Sequence, residues 1–270
     1  MREELISFFA ERKIEYFSAV AYSECREIAG EIIEREGFAP KSVILFLLPY
    51  YVSDGENIST YATSLDYHII LREITSELCS LLKELYPTAS ARGYGDHSPI
   101  DERHAALISG LGIKGDNGLL ISEKYGSYIF LGDVVTDIPP EDIGAVAPSE
   151  VRECLHCGAC VSACPTGILC GRGNDCLSAI TQRKGELSVE ERELMLKYGT
   201  AWGCDECQRA CPYNRTPTET PIEFFHRERI TVLTRDLVDS MDKSTLRARA
   251  FGWRGRAVLE RNLEVLDSKS

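Results

Sequence analysis

The sequence predicts a chain of the α+β or α/β class: a mixed α/β domain over residues 1–148, a cysteine module over 149–214, and a linker with a short helical tail over 215–270. Three observations carry that reading. Short β-branched and aromatic runs flank an amphipathic helix in the first part. Eight of the 11 cysteines gather in groups between Cys154 and Cys211, with Cys170 just outside their spacing. The last part, which begins RTPTETP and ends in AVLERNLEVLDSKS, is too short for a further domain of typical size.

In the first domain, KSVILFLLPYY reads as a short buried strand and SYIFLGDVVTDI as a second. Between them, residues 68–86 place Leu71, Ile74, Leu78, Leu81 and Leu85 at helical spacing until Pro87 stops the pattern. Cys79 then reads as an ordinary helix residue, and Cys25 as another. From Arg92 to Gly132, ARGYGDHSP, GLGIKGDNG and YGSYIFLG crowd glycines between short apolar pieces, the composition of turns and close-approach loops. Further on, Ser188 and Glu191 form a capping-box pattern for a helix inside the cysteine module.

A chain of 270 residues can bury a sizeable core, so cysteines are not needed merely to hold it together. The start MREELISFFAERK is charged and amphipathic, without the apolar stretch of a secretory signal, and predicts a reducing cytoplasmic location. SVILFLLPYYV is about half the length of a membrane-spanning helix, and Pro49 interrupts it. Forty-two acidic against 30 basic residues give a net charge of −12, which excludes a uniformly nucleic-acid-binding surface but not a local patch. Arg247, Arg249, Arg254 and Arg256, with Phe251 and Trp253 among them, form one candidate patch suited to phosphate contact and base stacking.

CLHCGACVSACP, with Cys154, Cys157, Cys160 and Cys164, has the CxxCxxCxxxCP spacing with which bacterial ferredoxins hold cubane clusters. Three thiolates of one tight loop grip one cube and the fourth cysteine serves the other. Two cubanes need eight thiolates, and Cys176 with Cys204, Cys207 and Cys211 completes the number. The crossed rule assigns one [4Fe-4S] cluster to Cys154, Cys157, Cys160 and Cys211, and the other to Cys164, Cys176, Cys204 and Cys207, with Cys170 spare. Structural zinc also uses CxxC pairs, but such sites close with four ligands and seldom use this run. His156 is not needed as a ligand.

The runs DYHIILRE, GDHSPIDERHAALISGLGIKGDNGLLI and GSYIFLGDVVTDIP, followed by CLHCGACVSACPTG and GCDECQRACPYNR, resemble the epoxyqueuosine reductase family in order and spacing over roughly residues 40–215. The resemblance implies an oxidoreductase of queuosine biosynthesis whose first domain binds cobalamin. The cubanes of such an enzyme reduce the cobalt, and the epoxide of epoxyqueuosine in a tRNA is reduced to give queuosine. An external donor such as a flavodoxin or ferredoxin would supply electrons, and no membrane is involved. GDHSPIDER matches a family motif of Asp, Pro and Glu-Arg, which places Asp96, Pro99, Glu102 and Arg103 on it and makes Asp96 the expected proton donor. A carboxylic acid can protonate the oxygen on which charge builds as an epoxide opens; His97, next in the chain, could also donate. The resemblance further implies that Gly110, Gly112, Gly115, Gly118, Gly126, Ser127 and Gly132 lie against the cofactor.

Asp116 stands where the family often has lysine, and the chain stops where longer members continue into helical repeats thought to help hold tRNA. No histidine sits in the Asp-x-His-x-x-Gly pattern of histidine-ligated cobalamin, so no such axial ligand is expected. Two other functions fit the same cysteines: a cobalamin and iron–sulfur reductase of another small substrate, such as an organic halide, and a non-enzymatic two-cluster electron carrier.

Overall fold

The structure is a computed structural model that describes residues 3–173 and 175–268; Met1, Arg2, Asn174 and the last two residues of the expected tail, Lys269 and Ser270, lie outside it. The chain divides into two compact units, one of residues 1–50 and 68–155, the other of residues 51–67 and 156–270. These units cut the chain elsewhere than the boundaries read from sequence.

The first unit runs α1 (Glu3–Glu11), β1 (Phe17–Ala21), α2 (Gly30–Glu36), β2 (Ser42–Pro49), α3 (Tyr67–Leu85), β3 (Ala91–Tyr94), α4 (Glu102–Ile108), β4 (Ile113–Lys114), β5 (Leu120–Ile121), β6 (Ile129–Thr136) and α5 (Pro140–Ile143). Its sheet has the order β1-β2-β6-β3, every pair antiparallel, which puts the unit on the α+β side of the expected class. The two expected strands are β2 and β6 at its centre. All eight residues of β2 are buried, because both faces of the sheet are covered.

Strand alternation assigns the faces. Val43, Leu45 and Leu47 of β2 and Leu131 and Val135 of β6 pack with Ala105, Ala106, Leu107 and Ile108 of α4. On the opposite face Phe46 lies against Phe9 of α1, ring centroids 5.6 Å apart. Helix α3 forms where expected, but its buried stripe is Ile70, Leu71, Ile74, Thr75, Leu78 and Leu82, so Leu81 and Leu85 lie at its margin. The stretch from Arg92, expected as turns, contains the edge strand β3 and the helix α4. Cys25 lies in the loop that follows a short 3-10 turn, not in a helix.

The second unit runs α6 (Ala159–Ala163), α7 (Leu177–Gln182), α8 (Val189–Tyr198), α9 (Glu206–Arg209), α10 (Arg235–Ser240), α11 (Lys243–Arg247) and α12 (Arg256–Asp267). The capping box at α8 is present, with Ser188 and Glu191 each accepting from the other's backbone N–H. Residues expected as linker and tail build its main core, where Leu233, Val238, Met241, Leu246, Phe251, Val258 and Leu259 surround the fully buried Trp202. Asp205, buried, accepts from the Ser59 hydroxyl and from the Thr60 N–H at 2.7 Å, which ties residues 51–67 into this unit.

Candidate functional sites

Within the first unit, Asp96 sits on the exposed turn between β3 and α4 with φ 65, a left-handed conformation uncommon outside glycine. Its carboxylate Oδ2 lies 3.3 Å from Nε2 of His68, near the start of α3. Sequence reasoning did not find this partner, and His97 is exposed beside it. Two residues on, Ser98 is buried and its hydroxyl donates to Oδ2 of Asp133 at 2.9 Å.

Asp133 stands on β6, on the face that packs against α4, and is fully buried. Its other oxygen meets no hydrogen-bond partner, and neither does Oε2 of Glu102, on the first turn of α4. Burial pushes Asp133 up to about 7, against the Ser98 hydrogen bond. Glu102 is pushed up to about 8, first by burial and then by the charges of Asp133 and Asp96, with Arg103 opposing. A carboxyl group that keeps its proton near neutrality thus lies behind the Asp96 turn. Glu102 was legible only as a motif letter, and Asp133 gave no signal apart from an acidic residue inside a strand otherwise apolar.

The glycines expected against a cofactor find reasons inside the fold. Gly110, Gly118 and Gly126 have φ of 78, 78 and 58. A Cβ on Gly112 would meet Leu120 at 2.7 Å, one on Gly115 the side chain of Asn117 at 2.5 Å, and one on Gly132 the ring of Phe46 within 2.8 Å. Ser127 is buried. For the six glycines, positive φ or a close neighbour inside the fold accounts for the missing side chain.

Among the cysteines, Cys154 closes the first unit, and its N–H bonds to the carbonyl of Lys114 at 3.0 Å. In the second unit the two thiol groups are brought together by the packing of α6 against α9. Cys160 lies on α6 and Cys164 ends it; Cys207 lies on α9, and Cys211 follows before Pro212. Positive φ at His156 and Gly158 bends the loop that carries Cys157. Cys176 precedes α7 as its N-cap.

Burial first, and then the neighbouring thiols of Cys176 and Cys207, push Cys204 up to about 12. Cys164 behaves oppositely: burial raises it, but the amides of Leu169, Thr166 and Gly167 and the Thr166 hydroxyl outweigh that, so its thiol lies below the ordinary value. Cys170 points elsewhere, taking a hydrogen bond from Arg172 at 2.9 Å and donating to the carbonyl of Gly167 at 3.0 Å. All 11 cysteines are free thiols. Free thiols gathered in two groups offer the donors that a bound polynuclear metal centre would take, since thiolate ligation replaces each proton.

The arginine patch is largely structural. Arg249 is buried and donates to the carbonyl of Glu228, Arg256 donates to the carbonyls of Val238 and Met241, and Phe251 is core. Arg247 and Trp253 remain exposed, with the Arg254 guanidinium 3.6 Å over the Trp253 ring.

An antiparallel α+β unit accompanies a module whose thiols, gathered in two groups, are the donor set of an iron–sulfur protein. Residues 153–214 match the 4Fe-4S double cluster binding domain. The chain is 33% identical over 258 residues to the epoxyqueuosine reductase of Listeria monocytogenes, covering 87% of this chain and 65% of that protein. It is 37% identical over 196 residues to that of Aliivibrio fischeri, covering 70% and 51%. The chain is thus similar to epoxyqueuosine reductases over most of its own length, and spans about half to two thirds of the length of these curated relatives.

The fold agrees. The epoxyqueuosine reductase of Streptococcus thermophilus superposes with a TM-score of 0.74 at 24% identity, over 97% of this chain and 80% of that one. An epoxyqueuosine reductase with an epoxyqueuosine-modified tRNA-Tyr stem loop gives 0.78 at 22%, over 98% and 80%. The Bacillus subtilis protein, with an aspartate catalytic loop swung out of its active site, gives 0.77 at 24%, over 98% and 80%.

Proposed function

We propose that this chain is an iron–sulfur and cobalamin-dependent oxidoreductase that reduces the epoxide of epoxyqueuosine in tRNA to queuosine. The observation that carries the reading is similarity running through both the GDHSPIDER turn and the cysteine module, over 258 residues in the Listeria protein. A tRNA substrate would place the protein in the cytoplasm. Among the described residues, no helix is long and apolar enough to cross a membrane. A flavodoxin or ferredoxin is the class of donor that would feed the clusters.

The donor set suits two [4Fe-4S] clusters, one on Cys154, Cys157, Cys160 and Cys211, the other on Cys164, Cys176, Cys204 and Cys207. The packing of α6 on α9 and the influence of Cys176 and Cys207 on Cys204 support that division. Cobalamin enters through the family alone, because the glycines read as its cradle are accounted for inside the fold. When bound, it would supply the strong two-electron reductant that epoxide removal requires.

The residues of this chain would manage the protons. Asp96, exposed on a turn and beside His68, would deliver a proton to the epoxide oxygen as its C–O bond breaks. Exposed Trp253, with Arg254 across its ring, offers a stacking surface for an unpaired base.

The test is anaerobic reconstitution with iron, sulfide and a cobalamin, desalting and metal analysis, then turnover of an epoxyqueuosine-bearing stem loop under a low-potential reductant. Eight irons, one cobalt and turnover support the reading; eight irons without cobalt or turnover would leave an electron carrier. Asp96→Ala should keep both metals and lose turnover, and full activity would remove the donor role. Cys170→Ser should keep about eight irons per chain, as two cubanes require; a fall to about four would make Cys170 a ligand.

A further inference from the structure

A proton donor on an exposed turn works only while the turn holds it at one place, since misplacing a reacting group by about 1 Å can cost about a hundredfold in rate. Asp96 lies on such a turn, with exposed His97 after it and buried Ser98 next.

We propose that Asp133 is a positioning residue that pins both ends of the three-residue arch of Gly95, Asp96 and His97. This rests on the proposed reduction. Asp133 is fully buried and is not argued to touch substrate.

The contacts that carry it lie within the first unit. At the upstream end of the arch, Tyr94 closes β3 directly opposite Asp133 on β6. At the downstream end, the Ser98 hydroxyl donates to Oδ2 of Asp133 at 2.9 Å and accepts from the Ile100 N–H at 3.4 Å. One residue therefore meets Tyr94 through its place in the sheet and Ser98 through its side chain. A carboxyl oxygen accepts whether or not the other oxygen carries a proton, so the bond to Ser98 exists in both states.

The chain is tied again just beyond the arch. The N–H groups of Ile28 and Ala29 donate to the carbonyl of Pro99 at 2.9 and 3.1 Å, and the Asp101 N–H donates to the carbonyl of Arg26 at 2.8 Å. The arch also rests on α3. A Cβ on Gly95 would meet Leu71 at 2.7 Å, and Leu71 stands one helical turn beyond His68, whose Nε2 lies 3.3 Å from Oδ2 of Asp96.

The burial of Asp133 then has a use. Its neighbours on that face of β6, Leu131 and Val135, are apolar, and a buried carboxyl with one oxygen unpartnered costs free energy there. What it offers that an apolar side chain lacks is an acceptor beneath the arch.

Variants of the full chain test this. Ser98→Ala with Asp133→Leu removes both partners at once; replacing a bonded pair by apolar groups is nearly neutral, so the urea midpoint should stay close to that of the unmutated chain. Asp133→Asn keeps an oxygen that accepts from Ser98. Crystal structures, which need no turnover, should show Asp96 beside His68 in the unmutated chain and in Asp133→Asn, and the arch displaced from His68 in the double variant. An arch unmoved in the double variant overturns the proposal. Should that variant fail to fold, Ser98→Ala, which leaves β6 untouched, reads the same displacement. In turnover of an epoxyqueuosine stem loop by the reconstituted chain, kcat of the double variant should fall about tenfold or more with KM little changed, whereas Asp133→Asn should keep most of the rate. An unchanged kcat in the double variant, or an equal loss in Asp133→Asn, overturns the positioning role. If the arch moves as expected but the unmutated chain reduces no epoxyqueuosine, the proposed reduction falls and the pinning of the arch stands.

Discussion

Asp133 sits where an apolar residue would pack without electrostatic cost, on the face of β6 that carries Leu131 and Val135. Burial lifts its carboxyl from 3.8 to about 7. Between those values the folded chain holds a proton that the unfolded chain has lost. Stability then falls as pH rises through that window, by at most about 4 kcal/mol in all. Asp133→Asn keeps the shape and removes the titration. Urea unfolding at pH 5 and pH 8 should show the pH-dependent loss smaller by roughly 2–3 kcal/mol in the variant; an equal loss in both chains would place the proton elsewhere. The proposed role of Asp96 was legible because a motif named it, whereas His68 comes to Asp96, and Asp133 to Ser98 on the same turn, through folding. A histidine in an amphipathic helix and an aspartate in a strand carry no local pattern that marks them as neighbours of a turn.

At the scale of elements, the central strands were legible because their apolar runs are long, and α3 because its period is clear. The edge strand β3 was not: it is four residues, ARGY, with a glycine whose Cβ would meet Thr75 of α3 at 2.2 Å. Such a strand is defined by its partner β6 rather than by propensity. Gly132 shows the same logic at the centre of the sheet. It stands directly opposite Phe46 on β2, whose ring covers it and is itself pinned by Phe9. Gly132→Ala should therefore destabilise by about 1–3 kcal/mol through overpacking, read as a lower urea midpoint. Phe46→Leu in the same chain should recover part of that loss, a coupling between neighbours that independent sites would lack. Simple additivity would show that the ring is free to move aside.

For the molecule as a whole, the distribution of apolar cores decides what the clusters hold together. The first unit has its own core on the α4 face of the sheet, and the second has one around Trp202 and Phe251 that contains no cysteine. A smaller cluster of Leu177, Ile180, Leu187, Met195 and Val265 borders Cys204. The cysteine loops themselves have short helices and little buried apolar surface: α6 and α9 are five and four residues long, below what forms stably without tertiary support. Metal ligation would provide that support, because ligand binding to the folded state alone adds to its stability. Removing iron with a chelator under anaerobic reduction should then speed amide exchange over residues 157–182 and 204–214. Exchange in β2, β6 and α12 should change little, since their cores are complete without metal. Uniform acceleration across both units would mean that the clusters stabilise the entire chain as one cooperative fold, and no acceleration at all would mean that the thiol loops are held by protein contacts alone.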